Sequence, residues 1–157
     1  PDTKGAILEI YRLLKPGGRA VVMLYCKDSW HYWINMWFFV GILRAKLFYG
    51  KNWLGPATEW GGSNKQTKNN PYTQCFTKRE IKNIFRDFKL VRLQKAEFYF
   101  YLIPVLGRIY KLWQKKYYGT HLGGELVYGE PWPIQSSLEL YLGKLMGWAW
   151  FITVEKK

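Results

Sequence analysis

Leu13-Leu14-Lys15-Pro16-Gly17-Gly18 stands between a helical pattern and a valine-rich apolar run, and that punctuation constrains the fold more than any other stretch of the chain. Before it, residues 3–14 place Ala6, Ile7, Ile10, Tyr11, Leu13 and Leu14 on one face at helical spacing, with Glu9 and Arg12 opposite, so a short amphipathic helix is predicted. Asp2-Thr3 supplies its cap. The proline cannot continue the helix and the glycines allow positive φ, so a tight turn follows. Arg19 to Tyr25 is then nearly continuous and apolar, as expected of a strand covered on both faces. Helix, Gly-Gly turn and buried strand together predict an α/β fold.

Further along, the pattern changes. Trp30 to Leu43 is almost wholly apolar and aromatic, with Lys27 before it and Arg44 and Lys46 after it, and it is too short to span a bilayer. Residues 50–71 read as loop. Thr77-Lys78-Arg79-Glu80 is a capping box that opens a second helix, whose apolar face is Ile81, Ile84, Phe85 and Phe88. Leu90 to Leu93 and Ala96 to Phe98 read as a strand or strand pair. A second aromatic segment, Phe98 to Trp113, is followed by an irregular stretch over 117–137, a short helix over Leu138 to Leu145, and a β-branched and aromatic strand from Trp148 to Val154. No internal repeat is visible.

Composition narrows the partners. The 157 residues carry Lys+Arg 24 against Asp+Glu 11, a formal net charge of +13, together with 9 Trp, 12 Tyr and 9 Phe. One domain with a sizeable core is expected, and global disorder is excluded. Nucleic acid and anionic membrane surface are the partner classes such a balance admits. Nucleic acid is disfavoured: Lys78, Arg79, Lys82, Arg86, Lys89, Arg92 and Lys95 crowd one helix and strand without a recognition motif. Trp30, Trp33, Trp37 and Phe38, with Arg44 and Lys46 at the margin, have the composition of an in-plane membrane anchor, although domain core and acceptor-pocket lining remain open for the same run. Cys26 and Cys75 lie far apart with no metal-ligand spacing beside them. Neither a disulfide framework nor a metal site is expected, and a reducing cytoplasm, with peripheral membrane contact admitted, is the expected compartment. No segment has the order of a signal peptide, and Pro1 in place of Met suggests that the chain begins inside a larger fold.

The order of helix, Leu13-Leu14-Lys15-Pro16-Gly17-Gly18, strand Arg19 to Tyr25, capped helix Thr77 to Phe88, strand and terminal strand resembles the C-terminal half of class I S-adenosylmethionine-dependent methyltransferases. Residues 1–26 and 71–98 carry the resemblance, 148–154 would be the antiparallel last strand, and 27–70 and 99–147 would be aromatic-rich helical insertions. The fold implied is half of a Rossmann-like sheet with helices on its faces, in one partial domain. The activity implied is methyl transfer from S-adenosylmethionine to a small-molecule or lipid-like acceptor, with the donor bound mainly by chain outside these residues. The family's Gly-rich loop and the acidic residue after its second strand have no counterpart here: Gly17-Gly18, Gly61-Gly62 and Gly123-Gly124 are isolated pairs.

In that family the acceptor side is built by the end of the fifth strand and the insertions after it, which points to Tyr25, Asp28, His31 and Tyr72 as acceptor contacts. Each has a plainer role available, as strand end, solvated turn residue or structural histidine. A carboxylate pair at Glu125 and Glu130 and a nucleophile pair of Cys75 with His31 or His121 are the weaker catalytic alternatives. The rival to an enzyme is a catalytically silent, membrane-peripheral binding module of the same fold.

Overall fold

The computed structural model describes residues 2–50, 53–55, 73–104, 106–107, 109–110, 112, 126–127, 130–131 and 135–157. Helix α1 (Thr3–Leu13) begins where the Asp2 carboxylate accepts the Gly5 N–H at 2.9 Å, and ends as Leu14 turns extended. Proline at the second position of the next turn and Gly17 at φ 72° at the third are the requirements of a type II turn, closed by Gly18 N–H donating to Lys15 O at 2.8 Å. The turn delivers β1 (Arg19–Cys26). Ile7, Ile10, Tyr11 and Leu14 form the inner face of α1, whereas Leu13, assigned to that face by its spacing, is exposed.

A helix of unusual winding, His31–Leu43, follows β1 and leads into a short 3-10 turn, Lys46–Tyr49. Beyond lie β2 (Cys75–Phe76), α2 (Lys78–Ile84), β3 (Phe88–Ala96), the two-residue strands β4 (Leu126–Val127) and β5 (Glu130–Pro131), α3 (Ser137–Met146) and β6 (Ala149–Lys156). β4 and β5 pair only with each other. The four-stranded sheet has the order β2-β1-β6-β3. β6 runs antiparallel to both β1 and β3, so those two are parallel to each other, and β2 is parallel to β1. The protein is α/β with a mixed sheet. β3 is one strand, with a register shift at Val91, between Leu90 and Arg92.

One face of the sheet carries the core. Ala20, Val22 and Leu24 of β1, Trp150, Ile152 and Val154 of β6, and Leu93 of β3 pack against Ile7 of α1, Ile81 of α2, and Phe85 and Phe88 behind it. The Trp150 indole N–H donates to Phe76 O at 3.0 Å and so ties β6 to β2 across β1. The opposite face does not match the doubly buried strand that the apolar run predicted. Val21 is 71% and Met23 46% exposed, and Phe151, opposite Met23, is 38% exposed. That face is closed only at its Tyr25–Ala149 end, where Gly143 of α3 meets Ala96, and β2 pairs with β1 only at Tyr25 and Cys26, so no strand among the described residues neighbours Arg19–Leu24 on that edge. A run of valines reads as doubly covered because both faces are apolar, whatever part of the covering is present.

Both α2 and α3 open on capping boxes. The Thr77 box has the form its spacing predicts, with Thr77 N–H donating to Glu80 Oε2 at 2.7 Å. In α3 the cap does more. Glu139, 1% exposed, accepts from Ser136 N–H at 2.8 Å and from Phe100 N–H at 2.8 Å, which clamps the second aromatic segment to the helix start. Removing a charged, buried acceptor strands both donors. Glu139→Ala is therefore expected to destabilise the protein by about 3 kcal/mol and lower the melting temperature by roughly 6–12 °C, with Glu139→Gln intermediate, as read by thermal denaturation.

Candidate functional site

The candidate site lies at the carboxyl end of β1, where the chain leaves the sheet. Ser29, buried, donates its hydroxyl to Cys26 O at 2.8 Å and accepts the Tyr32 N–H at 3.1 Å, which turns the backbone directly from strand to helix. The helix His31–Leu43 is π-wound. Its i→i+5 bonds give about 4.4 residues per turn rather than 3.6. The burial pattern follows that wider period: His31, Val40 and Gly41 are buried and Asn35 and Met36 half-buried, while Trp33, Ile34, Trp37, Phe38, Ile42 and Leu43 are exposed. Gly41 lets the end of the helix close on Leu47, which a Cβ there would meet at 3.0 Å.

His31 is 6% exposed and sits edge-on to Trp148, ring centroids 4.7 Å apart, while Tyr25 stacks on the same indole at 5.0 Å. Trp148 thus joins two of the residues predicted to touch an acceptor. It lies just before β6, held by its N–H donating to Glu97 O at 3.0 Å, and Gly147 beside it fits only because a Cβ would overlap Ala96 O. On the other side of His31, the Asn35 amide nitrogen donates to Leu102 O at 2.6 Å and lies 3.1 Å from His31 Nδ1. A carbonyl oxygen can only accept, so it orients the Asn35 amide with its NH₂ inward; the second amide hydrogen then meets Nδ1, which leaves the proton of neutral His31 on Nε2. Burial pushes the His31 pKa down to about 4, so at neutral pH the ring is uncharged and offers a donor at Nε2.

Asp28 and His31 are three residues apart but serve different places. The Asp28 carboxylate accepts the Lys78 N–H at 3.1 Å at the start of α2, and its carbonyl accepts from Lys95 Nζ at 2.6 Å. A cavity of about 380 Å³ opens there, lined by Asp28, Lys78, Lys95, Lys144 and Trp150 among others, with Lys95 over the Trp150 ring at 5.2 Å. Tyr72, Glu125 and His121 lie outside the described residues, as does the side chain of Glu130. Cys75 is half-buried opposite Tyr25 on the parallel strand, and burial pushes its thiol up to about 12 and that of Cys26 up to about 11. Neither is a thiolate nucleophile at neutral pH. No cluster of three metal-ligating side chains occurs among the described residues.

The residues proposed for a membrane surface divide as well. Trp33, Trp37 and Phe38 face outward, with Trp33 and Trp37 edge to face at 5.9 Å. Trp30 is half-buried between His31 and Phe98. Arg44 is exposed and Lys46 half-buried at the far end. The basic row on α2 and β3 is broken up by local pairing, with Lys89 on Glu155 at 3.0 Å, Arg86 beside Asp87 at 3.8 Å and Lys95 spent on two carbonyls. Sequence reasoning missed Trp148, Asn35, Glu97 and Glu139. Of these, Asn35 had a signal, as a lone amide four residues after His31 in an apolar run, a spacing that puts the two side by side on a helix.

No family model, no curated protein and no solved structure matches the chain.

Burial of His31 couples its protonation to folding. The native ring titrates near 4 and an unfolded histidine near 6.5, so between these values the unfolded chain binds a proton that the native state refuses. Stability is lost as pH falls through that window, by at most about 3 kcal/mol from this group. His31→Phe should flatten the pH dependence of the urea midpoint between pH 6.5 and about 4 relative to wild type; equal slopes for the two proteins would remove the coupling.

Proposed function

We propose that the protein is the acceptor-binding part of an S-adenosylmethionine-dependent methyltransferase acting on a small or lipid-like acceptor. The observation that carries the reading is the sheet: parallel β1 and β3 joined through the capped helix α2, with the antiparallel last strand β6 between them. It has the parallel pair and the antiparallel terminal strand that the Leu-Leu-Lys-Pro-Gly-Gly resemblance calls for. The open edge of β1 and the bare face at Val21 and Met23 suit a sheet that continues into further strands.

In this reading the donor is bound mainly by chain outside these residues. None of their glycines follows the carboxyl end of a strand and opens a helix, the place of the family's donor loop. The contribution read for this chain is therefore to the acceptor. Tyr25, Trp148 and His31 form an aromatic corner, and the neutral donor at His31 Nε2–H is the group this reading assigns to an oxygen of the acceptor. Such a corner orients a partner, which is most of what a methyltransferase must supply when the donor is already activated.

A non-catalytic membrane-peripheral module is the second reading, favoured by the outward aromatic side of the π-wound helix. The two differ in donor binding. Calorimetric titration of the full-length protein with S-adenosylmethionine is expected to show one saturable site, and residues 1–157 alone to show none. Absence of binding to the full-length protein would leave the module reading, and saturable binding to residues 1–157 would overturn the assignment of the donor site to other parts of the chain.

A further inference from the structure

The outward side of the π-wound helix exposes six large apolar side chains, Trp33, Ile34, Trp37, Phe38, Ile42 and Leu43. Trp33 is 48% and Leu43 61% exposed, and Trp33/Ile34, Trp37/Phe38 and Ile42/Leu43 repeat at the spacing of the winding, so they form one stripe along the helix. Had the segment been α-helical, a period of 3.6 would have rotated these pairs around the axis and turned several inward. The winding separates one solvent-facing stripe from one inward stripe, His31, Asn35 and Val40. Exposed apolar area gathered in this way marks a contact surface.

We propose that this stripe docks in the plane of an anionic lipid surface. The charge around it decides the occupant. Residues 29–58 contain no Asp or Glu, while Lys27, Arg44, Lys46 and Lys51 flank or follow the helix and the whole chain is +13. Tryptophan rings at headgroup depth with cations at the margins match an interface of apolar interior and anionic rim. A second copy of the chain would bring two acid-free, basic-flanked surfaces together, and like-charge juxtaposition opposes that. At 13 residues the helix is far too short to cross a bilayer, and no described helix is long and apolar enough to do so, so the contact lies in the plane. Resting on the methyltransferase reading, the same geometry names the acceptor class: the helix that meets lipid on one side carries His31 against Trp148 and Tyr25 on the other, so the acceptor is a membrane-resident amphiphile with a hydrogen-bond-accepting oxygen.

The test is co-sedimentation of full-length protein with phosphatidylcholine vesicles, with and without phosphatidylserine, at low and high salt. Binding is expected to need phosphatidylserine, to weaken in high salt, and to fall by at least about tenfold in the double variant Trp33→Ser/Trp37→Ser while its melting temperature stays within about 2 °C of wild type. Quenching of wild-type tryptophan fluorescence by acyl-brominated lipid reads the same contact without any variant, and is expected on phosphatidylserine vesicles. Unchanged pelleting of a folded double variant, absence of quenching, or pelleting indifferent to phosphatidylserine would overturn the proposal. So would sedimentation velocity showing a dimer that the double variant abolishes. Titration with S-adenosylmethionine on the same samples separates the two ideas: vesicle binding without donor binding leaves the surface and removes the enzyme, and donor binding without vesicle binding does the reverse.

Discussion

Strand β6 is the constraint on which the rest depends, because among the described strands it alone is hydrogen-bonded along its length on both sides, to β1 and to β3. Ala149, Trp150, Ile152 and Val154 are buried in it, and the Trp150 indole reaches past β1 to Phe76 O. Its far end is held by the type II turn: Gly17 N–H donates to Lys156 O at 3.0 Å, Lys156 N–H to Gly18 O at 2.9 Å, and the Lys156 ammonium lies over Tyr11 and donates to Leu14 O. Its near end begins beside Trp148 and so sets the aromatic corner. Without β6, β1 and β3 have no sheet between them, α1 and α2 have nothing to pack on, and Tyr25 and His31 lose the indole they share.

Much of this was legible one element at a time. Asp2, Pro16, Gly17, Thr77 and Glu80 act locally, through a cap, a turn or a box whose partners lie within a few residues, and local chemistry can be read from local sequence. The order of the strands was not legible, because pairing between Arg19 and Glu155 is a non-local fact. The double coverage expected for β1 failed for a related reason: apolar character on both faces states what a strand can bury, and what covers it is decided elsewhere.

The candidate site was half legible. Tyr25 and His31 were named through the resemblance, yet Trp148, whose ring both of them meet, sits more than a hundred residues on and read only as the first residue of a strand. Asp28 was grouped with them by proximity in sequence, whereas the turn at Ser29 sends it to the lysine-lined cavity under α2. The aromatic run was open among core, pocket and membrane because those three readings presumed one face per helix. A π-wound helix with a stripe on each side lets inward packing and outward contact hold together.

The pairing of Arg19 with Glu155, 136 residues apart, also has a kinetic consequence. β1 leaves the ribosome well before β6, apolar on both faces, and the partner that occupies its antiparallel edge is made only after both aromatic segments. Sheets that depend on such distant contacts close slowly, since the loop entropy is spent before the contacts repay it. During that interval the valine-rich strand and the tryptophan-rich helix are exposed together on a nascent chain, which makes this the period of greatest need for a chaperone.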